Sequence, residues 1–549
     1  MSPIEICFHF IFVKTISMQL AKTLLSLFFA LQLSAQSNFN VYLEPLSISS
    51  LDGIQSFSHG EYQGKWIIFG GRLDGLHQRQ PFAAFSNVGH NDQIIVVDIN
   101  AETSQSYPTS SLSGSLYDQL RSTNMQSYQQ DSLLILVGGY GYASAQADHI
   151  THPYVTIVNL KGLLNALSTG ASITPHFSQI LDQDMAVTGG YLEKLYNSYY
   201  IVGGQRFDGR YNPHNGPTFT QSYTSAVRRF QLVNNNGAFS INWQNGYIDT
   251  ALFHRRDYNV LPQIGLNGEE AMIAFSGVFQ QNVDLPYLNA VYVDSNSFAE
   301  IPNFSQYYNH YHCASIALYD SSAQAMHNVF FGGIAQYYDL NGVLTQDNNV
   351  PFVKTIARVS RDAQGNYSEH KLAADMPNLL GAGSEFFIAA NTPKTGRDII
   401  KFDQLSGDTI LIGYILGGIE SSAPNIFNSN TGTQSSASGK LFKVYLLKNT
   451  RIGQSELNPQ SIENWQLQVS PNPSSNYLRL QFYSEESTTY TLSLLDTQGR
   501  LILNEEIAAS AISGLRNEEL ALSELAAGQY YVLLQNQNGK KVQQKVIIR

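Results

Sequence analysis

Two loops in the sequence carry an arginine and an aspartate two residues apart. The stretch "IIFGGRLDGLH" places Arg72 and Asp74 directly after a glycine doublet, and "YIVGGQRFDGRY" repeats the pattern with Arg206 and Asp208. A guanidinium group offers a planar fork of donors that suits a carboxylate or another anion. A pair at this spacing also forms local ion pairs that fix a loop, and simple duplication of a unit would repeat it. Both interpretations remain open.

A second set of candidates precedes strand-like runs further along the chain. Its members are polar residues that a loop could present together: His59, Arg255, Arg256, Asp257, His310, His312 and Glu385. In "YYNHYHCAS", His310 and His312 would point to the same face of an extended strand, which is a plausible spacing for metal ligands. The neighbouring Cys313 would face the other way, and we expect it to be a buried small side chain.

Six copies of one unit give these residues a common framework. An apolar run ends in two small residues at Gly71, Gly139, Gly204, Gly277, Gly333 and Gly418, at intervals of 68, 65, 73, 56 and 85 residues. A shorter strand-like piece precedes each doublet, and a β-branched or aromatic run follows it after a polar loop. The unit therefore predicts about four short antiparallel strands. Repeating such a sheet radially buries both of its faces, which gives a β-propeller.

These repeats resemble the kelch family of β-propellers, whose blades carry a Gly-Gly after the second strand. The resemblance implies about six blades over Leu43 to Thr450, with glycines where converging sheets leave no room for a Cβ atom. Blade 4 departs from the pattern with Ser276-Gly277, and most kelch tryptophans are replaced. A seventh blade, or an outer strand of the last blade supplied by "NFNVYLEPLSI", stays open.

The resemblance also implies where a ligand would bind. Propeller ligands bind on loops at one end of the central channel, so the two candidate sets would line that funnel and suit an acidic, hydroxyl-rich sugar. Kelch propellers include galactose-oxidase-like copper enzymes, but no second set of histidines and tyrosines completes such a site here. The motifs of serine hydrolases, zinc proteases and phosphate loops are missing. We therefore predict no metal, no cofactor and no nameable catalytic residue.

The C-terminal part of the chain alternates apolar and polar residues in a way typical of a separate β-sandwich. It resembles the C-terminal sorting domain that Bacteroidetes attach to cargo of the type IX secretion system, on the strength of "SPNPSSNYLRL", "LLDTQGRLIL", "LAAGQYYVLL" and "KKVQQKVIIR". The motif residues are Pro471, Asn472, Pro473, Asp496, Gly499, Gly528 and Tyr530. The resemblance implies export across the outer membrane, tail removal, and release or attachment to surface lipopolysaccharide. An ordinary Ig-like accessory module is the alternative.

Composition narrows the possible partners of the chain. A net charge of −11 without a basic cluster argues against nucleic acid, and two cysteines exclude a disulfide framework. The stretch "MQLAKTLLSLFFALQLSAQS" is typical of a signal peptide, with Met18 as the possible true start; one long membrane anchor is the alternative. No later segment is long and apolar enough to span a membrane.

The sequence thus predicts an all-β chain of four parts. They are a signal peptide (1–35), a kelch-like propeller of about six blades (36–455), a linker (456–464) and a sorting domain (465–549). We expect a secreted or surface protein that binds glycans or envelope proteins and is handled by the type IX machinery. A carbohydrate-active epimerase, lyase or oxidase, and a purely structural spacer or adhesin, are the alternatives.

Overall fold

A computed structural model describes most of the chain. It covers residues 39–79, 83–212, 218–340, 343–448, 467–470, 472–484, 488–496, 500–508, 514–522, 525–537 and 541–549. The chain divides into two compact units, residues 1–450 and 451–549. The predicted signal peptide, the linker, Pro471 and Gly499 fall outside the described residues, so the predicted domain boundaries remain predictions.

The first unit is a propeller of six antiparallel blades, and its first three blades follow one another along the chain after strand β1 (Phe39–Leu46). Blade 1 contains β2 (Ser58–Tyr62), β3 (Lys65–Phe69), β4 (Gln93–Asp98) and β5 (Thr103–Pro108). Blade 2 contains β6 (Gln126–Gln130), β7 (Leu133–Val137), the inserted hairpin β8 (Tyr140–Ala143) and β9 (Asp148–Thr151), β10 (Tyr154–Asn159) and β11 (Phe177–Leu181). Blade 3 contains β12 (Tyr191–Leu195), β13 (Ser198–Val202), the inserted hairpin β14 (Gln205–Gly209) and β15 (Phe219–Tyr223), β16 (Ala226–Asn235) and β17 (Ala238–Ile248).

Blades 4 to 6 repeat the plan. Blade 4 contains β18 (Asn259–Ile264), β19 (Glu270–Phe275), β20 (Ala290–Asp294) and β21 (Phe298–Glu300). Blade 5 contains β22 (Ser315–Asp320), β23 (Ala325–Ile334), the inserted hairpin β24 (Tyr337–Leu340) and β25 (Val343–Gln346), β26 (Phe352–Arg361) and β27 (Tyr367–Asp375). Blade 6 contains β28 (Leu379–Ile388), β30 (Thr409–Ser421), the short β31 (Ser435–Ala437) and β32 (Leu441–Lys448), and β29 (Ile400–Lys401) lies in the connection between β28 and β30.

The propeller closes through its N-terminal strand. β1 pairs antiparallel with β32, from Phe39 opposite Lys448 to Leu46 opposite Leu441, and so becomes the outer strand of blade 6. Of the two possibilities left open by the sequence, the structure therefore contains the shared sixth blade. Because the first and last strands of the propeller share one sheet, the ring of blades is closed between blade 6 and blade 1.

In the part of the chain that the structure describes, helices are few and short. They are α1 (Gly114–Leu120) and α2 (Leu160–Thr169), with 3-10 turns at Asn87–Gly89, Thr109–Ser111, Thr174–His176, Gln183–Met185 and Phe402–Gln404. The side chain of Asn159 caps α2 by accepting a hydrogen bond from the Gly162 amide, and Gly170 ends the helix at a φ of 70°. This segment, "KGLLNALSTG", has the most helix-like pattern in the sequence.

The second strand of each blade has apolar residues at consecutive positions, and its packing explains why apolar and polar residues do not alternate there. On β3, Ile67 and Phe69 pack toward blade 2, whereas Trp66 and Ile68 pack toward blade 6. Side chains of a strand alternate between its two faces, and here both faces are buried by neighbouring blades. Equivalent buried clusters occupy the other four interfaces between blades.

The glycine doublets join neighbouring blades. Gly138 and Gly139 have φ values of 63° and 90°, and a Cβ atom on Gly138 would lie 1.9 Å from the carbonyl oxygen of Val187 in the next blade. The second residue of five doublets donates its amide hydrogen to the loop before the next innermost strand: Gly71 to Ser122, Gly139 to Val187, Gly204 to Arg255, Gly277 to His310 and Gly418 to Ile54, at 2.9 to 3.2 Å. The steric role predicted for the doublets is therefore present, with a hydrogen bond in addition.

The second unit is a sandwich of two sheets. One contains β33 (Leu467–Ser470), β34 (Tyr477–Ser484) and β37 (Gly514–Ala521); the other contains β35 (Tyr490–Asp496), β36 (Leu501–Ile507), β38 (Gly528–Asn536) and β39 (Lys541–Ile548). Leucines of both sheets, such as Leu480 and Leu494, form its buried core. The sandwich therefore has a hydrophobic core of its own.

Several predicted motif residues of the sandwich hold its turns. Asn472 donates a hydrogen bond to Lys545 O at 2.9 Å and accepts one from the Ile547 amide at 2.8 Å, which ties the first turn to β39. The carboxylate of Asp496 pairs with Arg500 at 2.6 Å. The Tyr530 hydroxyl donates to Ala526 O at 2.9 Å, and Tyr530 packs against the core. Pro473 lies beside Asn472 in the first turn, and Gly528 is the first residue of β38.

Candidate binding site on the channel axis

Six backbone positions form a closed ring at one end of the propeller channel. Five of them lie just before an innermost strand, and Gly383 lies within β28. Each amide donates to the carbonyl of the preceding blade: Asn124 to Ser56, Gly189 to Asn124, Asp257 to Gly189, His312 to Asp257, Gly383 to His312 and Ser56 to Gly383, at 2.7 to 3.4 Å. We call these six residues the axial ring. The end of the propeller that carries it, together with the loops following the glycine doublets, is the loop face.

An ion pair with two tyrosines lies at the axial ring. Arg256 donates from Nη1 to the Asp257 carboxylate at 2.9 Å and from Nε to the Tyr223 hydroxyl at 3.1 Å. Its guanidinium carbon lies 4.8 Å from the centre of the Phe279 ring, and the Tyr311 hydroxyl hydrogen-bonds Asp257. No described residue accepts a hydrogen bond from Arg256 Nη2, and the side chain is 23% exposed. This group can therefore donate to a ligand on the loop face.

Aromatic rings surround this arginine. Tyr223 stacks on His254 with ring centres 3.8 Å apart, and His77 lies edge-on to Tyr211 at 4.8 Å. Burial lowers the pKa of His77 to about 4, helped by the positive charge of Arg256, so its ring is neutral at pH 7. Flat, half-buried rings beside a hydrogen-bond donor suit the faces and hydroxyl groups of a sugar.

The channel below the ring holds a carboxylate between two imidazoles. Glu385 on β28 lies 3.2 Å from Nε2 of His312 and 3.9 Å from Nε2 of His59 on β2. Burial opposes a charge on His312, but the charge and hydrogen bond of Glu385 outweigh it and raise the pKa of His312. Burial lowers the pKa of His59. The two histidines beside Glu385 are therefore shifted in opposite directions, and His312 holds a proton more tightly than His59.

The other end of the channel is closed by the connection between β28 and β30. We call residues 389–408 the plug segment. We call this end of the propeller, where the first and second strands of each blade are joined, the hairpin face; the inserted hairpins belong to the loop face. Arg397 reaches across the axis and donates to Gln263 O at 3.3 Å and Ala271 O at 2.9 Å in blade 4, and it lies 3.6 Å from Glu193 in blade 3. β29 pairs with the inner edge of β22 in blade 5. The plug segment therefore blocks access to the channel from the hairpin face.

Four residues predicted as ligands form the two local pairs. Arg72 is 3% exposed, contacts Asp74 through Nε at 2.7 Å and donates to Ser86 O at 3.1 Å. Arg206 contacts Asp208 at 2.7 Å and Gln183 at 3.2 Å, and Gln183 follows the outermost strand of blade 2. Both arginines form the local ion pairs of the second interpretation, the first in a loop and the second on β14. A ligand role for these four residues stays a prediction.

Two other candidates are buried in the protein. Arg255 is fully buried and donates to the carbonyls of Leu252 and Ser276. His310 is also fully buried; its ring contacts Gln306 O at 2.8 Å and accepts from the Gln336 amide at 3.0 Å. The expected strand with both histidines on one face is wrong, because residues 307–314 are irregular and only His312 enters the channel.

The structure thus brings Arg256, His312 and Glu385 together at the axis, with Asp257 and His59. Among the residues that it describes, no group of three or more His, Cys, Asp or Glu side chains could hold a metal ion. Cys313 is buried. Sequence patterns missed Tyr223, Tyr311 and the plug segment. The sequence did contain one indication of the plug segment, because the 85-residue interval before Gly418 is the longest of the five intervals between glycine doublets.

Comparisons with known proteins identify the tail. Residues 468–549 match the secretion system C-terminal sorting domain family, and such a type IX domain implies export to the cell surface or secretion. No curated protein matches in sequence. The described part of the chain has no helix long and apolar enough to cross a membrane.

Solved structures similar to this chain are distant. A structure of YjhT matches at 10% identity and a TM-score of 0.40, covering 72% of this chain and 97% of that one. A fungal alcohol oxidase of the AA5 family in complex with copper matches at 8% identity and a TM-score of 0.35, covering 93% and 99%. The assignment of a kelch-like propeller rests on the blades and doublets described above.

Proposed function

We propose that the exported propeller is a recognition protein that binds an acidic, hydroxyl-rich glycan on its loop face. Arg256 carries the proposal, because it combines an Nη2 donor that no described residue accepts from with flanking aromatic rings on the loop face. The ligand carboxylate would accept from Nη2, while its ring would lie against Tyr223 or Tyr211. An envelope protein that presents an acidic side chain is the other ligand of this kind.

The test is binding of the propeller alone, residues 36–455, to an array of acidic and neutral glycans and to isolated envelope components. This part contains every strand of the six blades. We expect acidic glycans to bind, and Arg256→Ala to weaken binding about 30-fold, since a hydrogen bond to a charged group contributes about 1.5–3 kcal/mol.

Arg206→Ala is the matched control. It removes the same type of side chain from an ion pair on β14 that shares no hydrogen bond or ion pair with Arg256 in the part of the chain that the structure describes. Because the sequence also suggested Arg206 as a ligand residue, this variant tests that prediction as well. Equal losses in the two variants, or no binding to any glycan or envelope component, would contradict the proposal.

A carbohydrate-active enzyme is the second candidate, and the pair of His312 and Glu385 favours it. An imidazolium and a carboxylate 3.2 Å apart can exchange a proton with a substrate that reaches them. An enzyme predicts turnover of a bound sugar that His312→Ala abolishes while binding persists. Unchanged sugar after prolonged incubation, followed by NMR, supports recognition alone.

A further inference from the structure

A cleft on the hairpin face lies between the plug segment and blades 1 and 6. Its volume is about 470 Å³, within the range of sites that bind small ligands. One side is formed by residues of the plug segment and the other by Trp66, Ile99 and Tyr414. It lies at the opposite end of the channel from Arg256.

The cleft exists because one connection is long. The first and second strands of blade 1 are joined by two residues, Gln63 and Gly64, whereas twenty residues separate Ile388 from Thr409 in blade 6. Two residues are enough to join the first and second strands of a blade. The long form adds a wall that the propeller architecture does not require.

The apolar wall of the cleft is rigid and partly aromatic. Trp66 is 2% exposed and stacks on Phe387 with ring centres 4.1 Å apart. Tyr414 packs edge-on against Trp66 at 5.3 Å and is half-buried. A held tyrosine ring beside open space offers a surface for the C–H face of a sugar ring.

Three polar side chains of the cleft, those of Glu61, Asn391 and Gln404, have no partner among the described residues. The backbone of Glu61 pairs with the Gln129 side chain, but no described residue hydrogen-bonds or ion-pairs with the Glu61 carboxylate. Burial raises the pKa of Glu61, while nearby Lys394 acts in the opposite direction. The side-chain amides of Asn391 and Gln404 are exposed in the cleft and also have no partner among the described residues. A half-buried carboxylate without a partner loses hydration that a ligand could replace.

We propose that this cleft binds one neutral sugar unit, whose hydroxyl groups donate to Glu61 and hydrogen-bond the amides of Asn391 and Gln404, while its ring lies on Tyr414. An acidic sugar would bring a second negative charge beside Glu61. A cationic sugar would meet the positive charge of Lys394. The inference does not rest on the function proposed for the loop face.

The test uses the full chain and saturation-transfer NMR. The probes are methyl α-glucoside, methyl α-mannoside, methyl β-galactoside and the corresponding neutral disaccharides, with glucuronate and glucosamine as charged comparisons. We expect at least one neutral probe to bind, and Glu61→Gln and Asn391→Ala each to weaken that binding about tenfold. Asn391 is exposed, so its substitution leaves folding intact.

Two controls separate this site from the loop face. Glu102→Gln removes an exposed carboxylate of blade 1 outside the cleft and should leave binding unchanged. Arg256→Ala should also leave it unchanged, although it weakens binding of acidic glycans. Binding of charged probes alone, absence of binding by every probe, or neutral binding that survives both cleft variants would overturn the inference.

Discussion

The two ends of the propeller channel are closed in different ways. At the loop face, every blade contributes one residue to the axial ring, and backbone groups make all six hydrogen bonds. At the hairpin face, a single segment from blade 6 crosses to blades 3, 4 and 5 and is held by side chains such as Arg397 and by one short parallel pairing. A repeated unit thus yields a symmetric closure, and an insertion in one repeat yields an asymmetric one.

The difference determines where function can arise. The backbone of the ring positions is tied to the architecture, so binding on the loop face depends on their side chains and on neighbouring residues such as Arg256 and Tyr223. The plug segment is not needed to form a blade, and both of its sides are available for packing or for a ligand. Substitutions should therefore affect the two ends differently.

The largest expected effect is that of a substitution in a glycine doublet, where the backbone joins neighbouring blades at the loop face. Gly138→Ala places a Cβ atom 1.9 Å from Val187 O on a residue with a φ of 63°. Left-handed strain and the displaced neighbouring blade should lower the free energy of unfolding by about 4 kcal/mol. Urea unfolding of the full chain measures it.

Blade 4 supplies the control for that substitution. Ser276 already occupies the first doublet position at a φ of 52°, and its hydroxyl donates to Tyr287 O at 2.6 Å. Ser276→Gly relieves strain and loses one hydrogen bond, so we expect a change below about 1 kcal/mol. A similar small change for Gly138→Ala would show that the doublets do not hold the blades together.

An intermediate effect should follow from loosening the plug segment. Arg397→Ala leaves Glu193 buried without its partner and frees two carbonyl groups, at a cost of about 3 kcal/mol. Hydrogen exchange should show lost protection in residues 389–408, with the loop face unchanged. Lys394→Ala breaks only an exposed pair with Asp398 and should cost less than about 1 kcal/mol.

The smallest effect is a pH dependence that distinguishes the two ends. Burial raises the pKa of Glu193 to about 6, above its value near 4.3 in an unfolded chain. The folded state therefore binds this proton more tightly, and stability should fall by about 2 kcal/mol as the pH rises from about 4 to 7. Buried histidines of the loop face act in the opposite sense, because burial lowers the pKa of His149 and His152 to about 4, so their contribution is lost as the pH falls below 6.5.

Glu193→Gln isolates the hairpin-face contribution. Urea unfolding of both proteins from pH 4 to 7.5 should give a stability difference that varies between about pH 4 and 7 and levels off above pH 7. The acid-side loss from the histidines should remain in both proteins. A difference that does not change with pH would contradict the assignment of a raised pKa to Glu193.

Much of the architecture follows from local patterns in the sequence. Six doublets with strands on either side predicted six blades, and alternation predicted the C-terminal sandwich, because periodicity reports which faces of a strand are buried. The third strands also lie where the β-branched runs were found, from β4 to β32. The choice of β1 as the outer strand of blade 6 required the structure, since β1 and β32 are about 400 residues apart and their pairing has no local signal. The inserted hairpins were not predicted either.

The candidate site was harder to predict from sequence patterns than the fold. Arg255 and Arg256 are adjacent in sequence and equally polar, yet Arg255 is fully buried and Arg256 is partly exposed at the axis. The direction of a side chain in an irregular loop depends on φ and ψ values, such as the φ of 51° at Asp257, which composition does not reveal. The same holds for the separation of His310 from His312.

The sequence by itself determined the repeat, the number of doublets and the sorting tail, because these depend on residue types at short range. Tertiary structure decided which charged residues meet at the axis, how β1 closes the ring and that residues 389–408 block the hairpin face. Those features join residues from different blades, and contacts of that kind arise only when the whole ring of blades has formed.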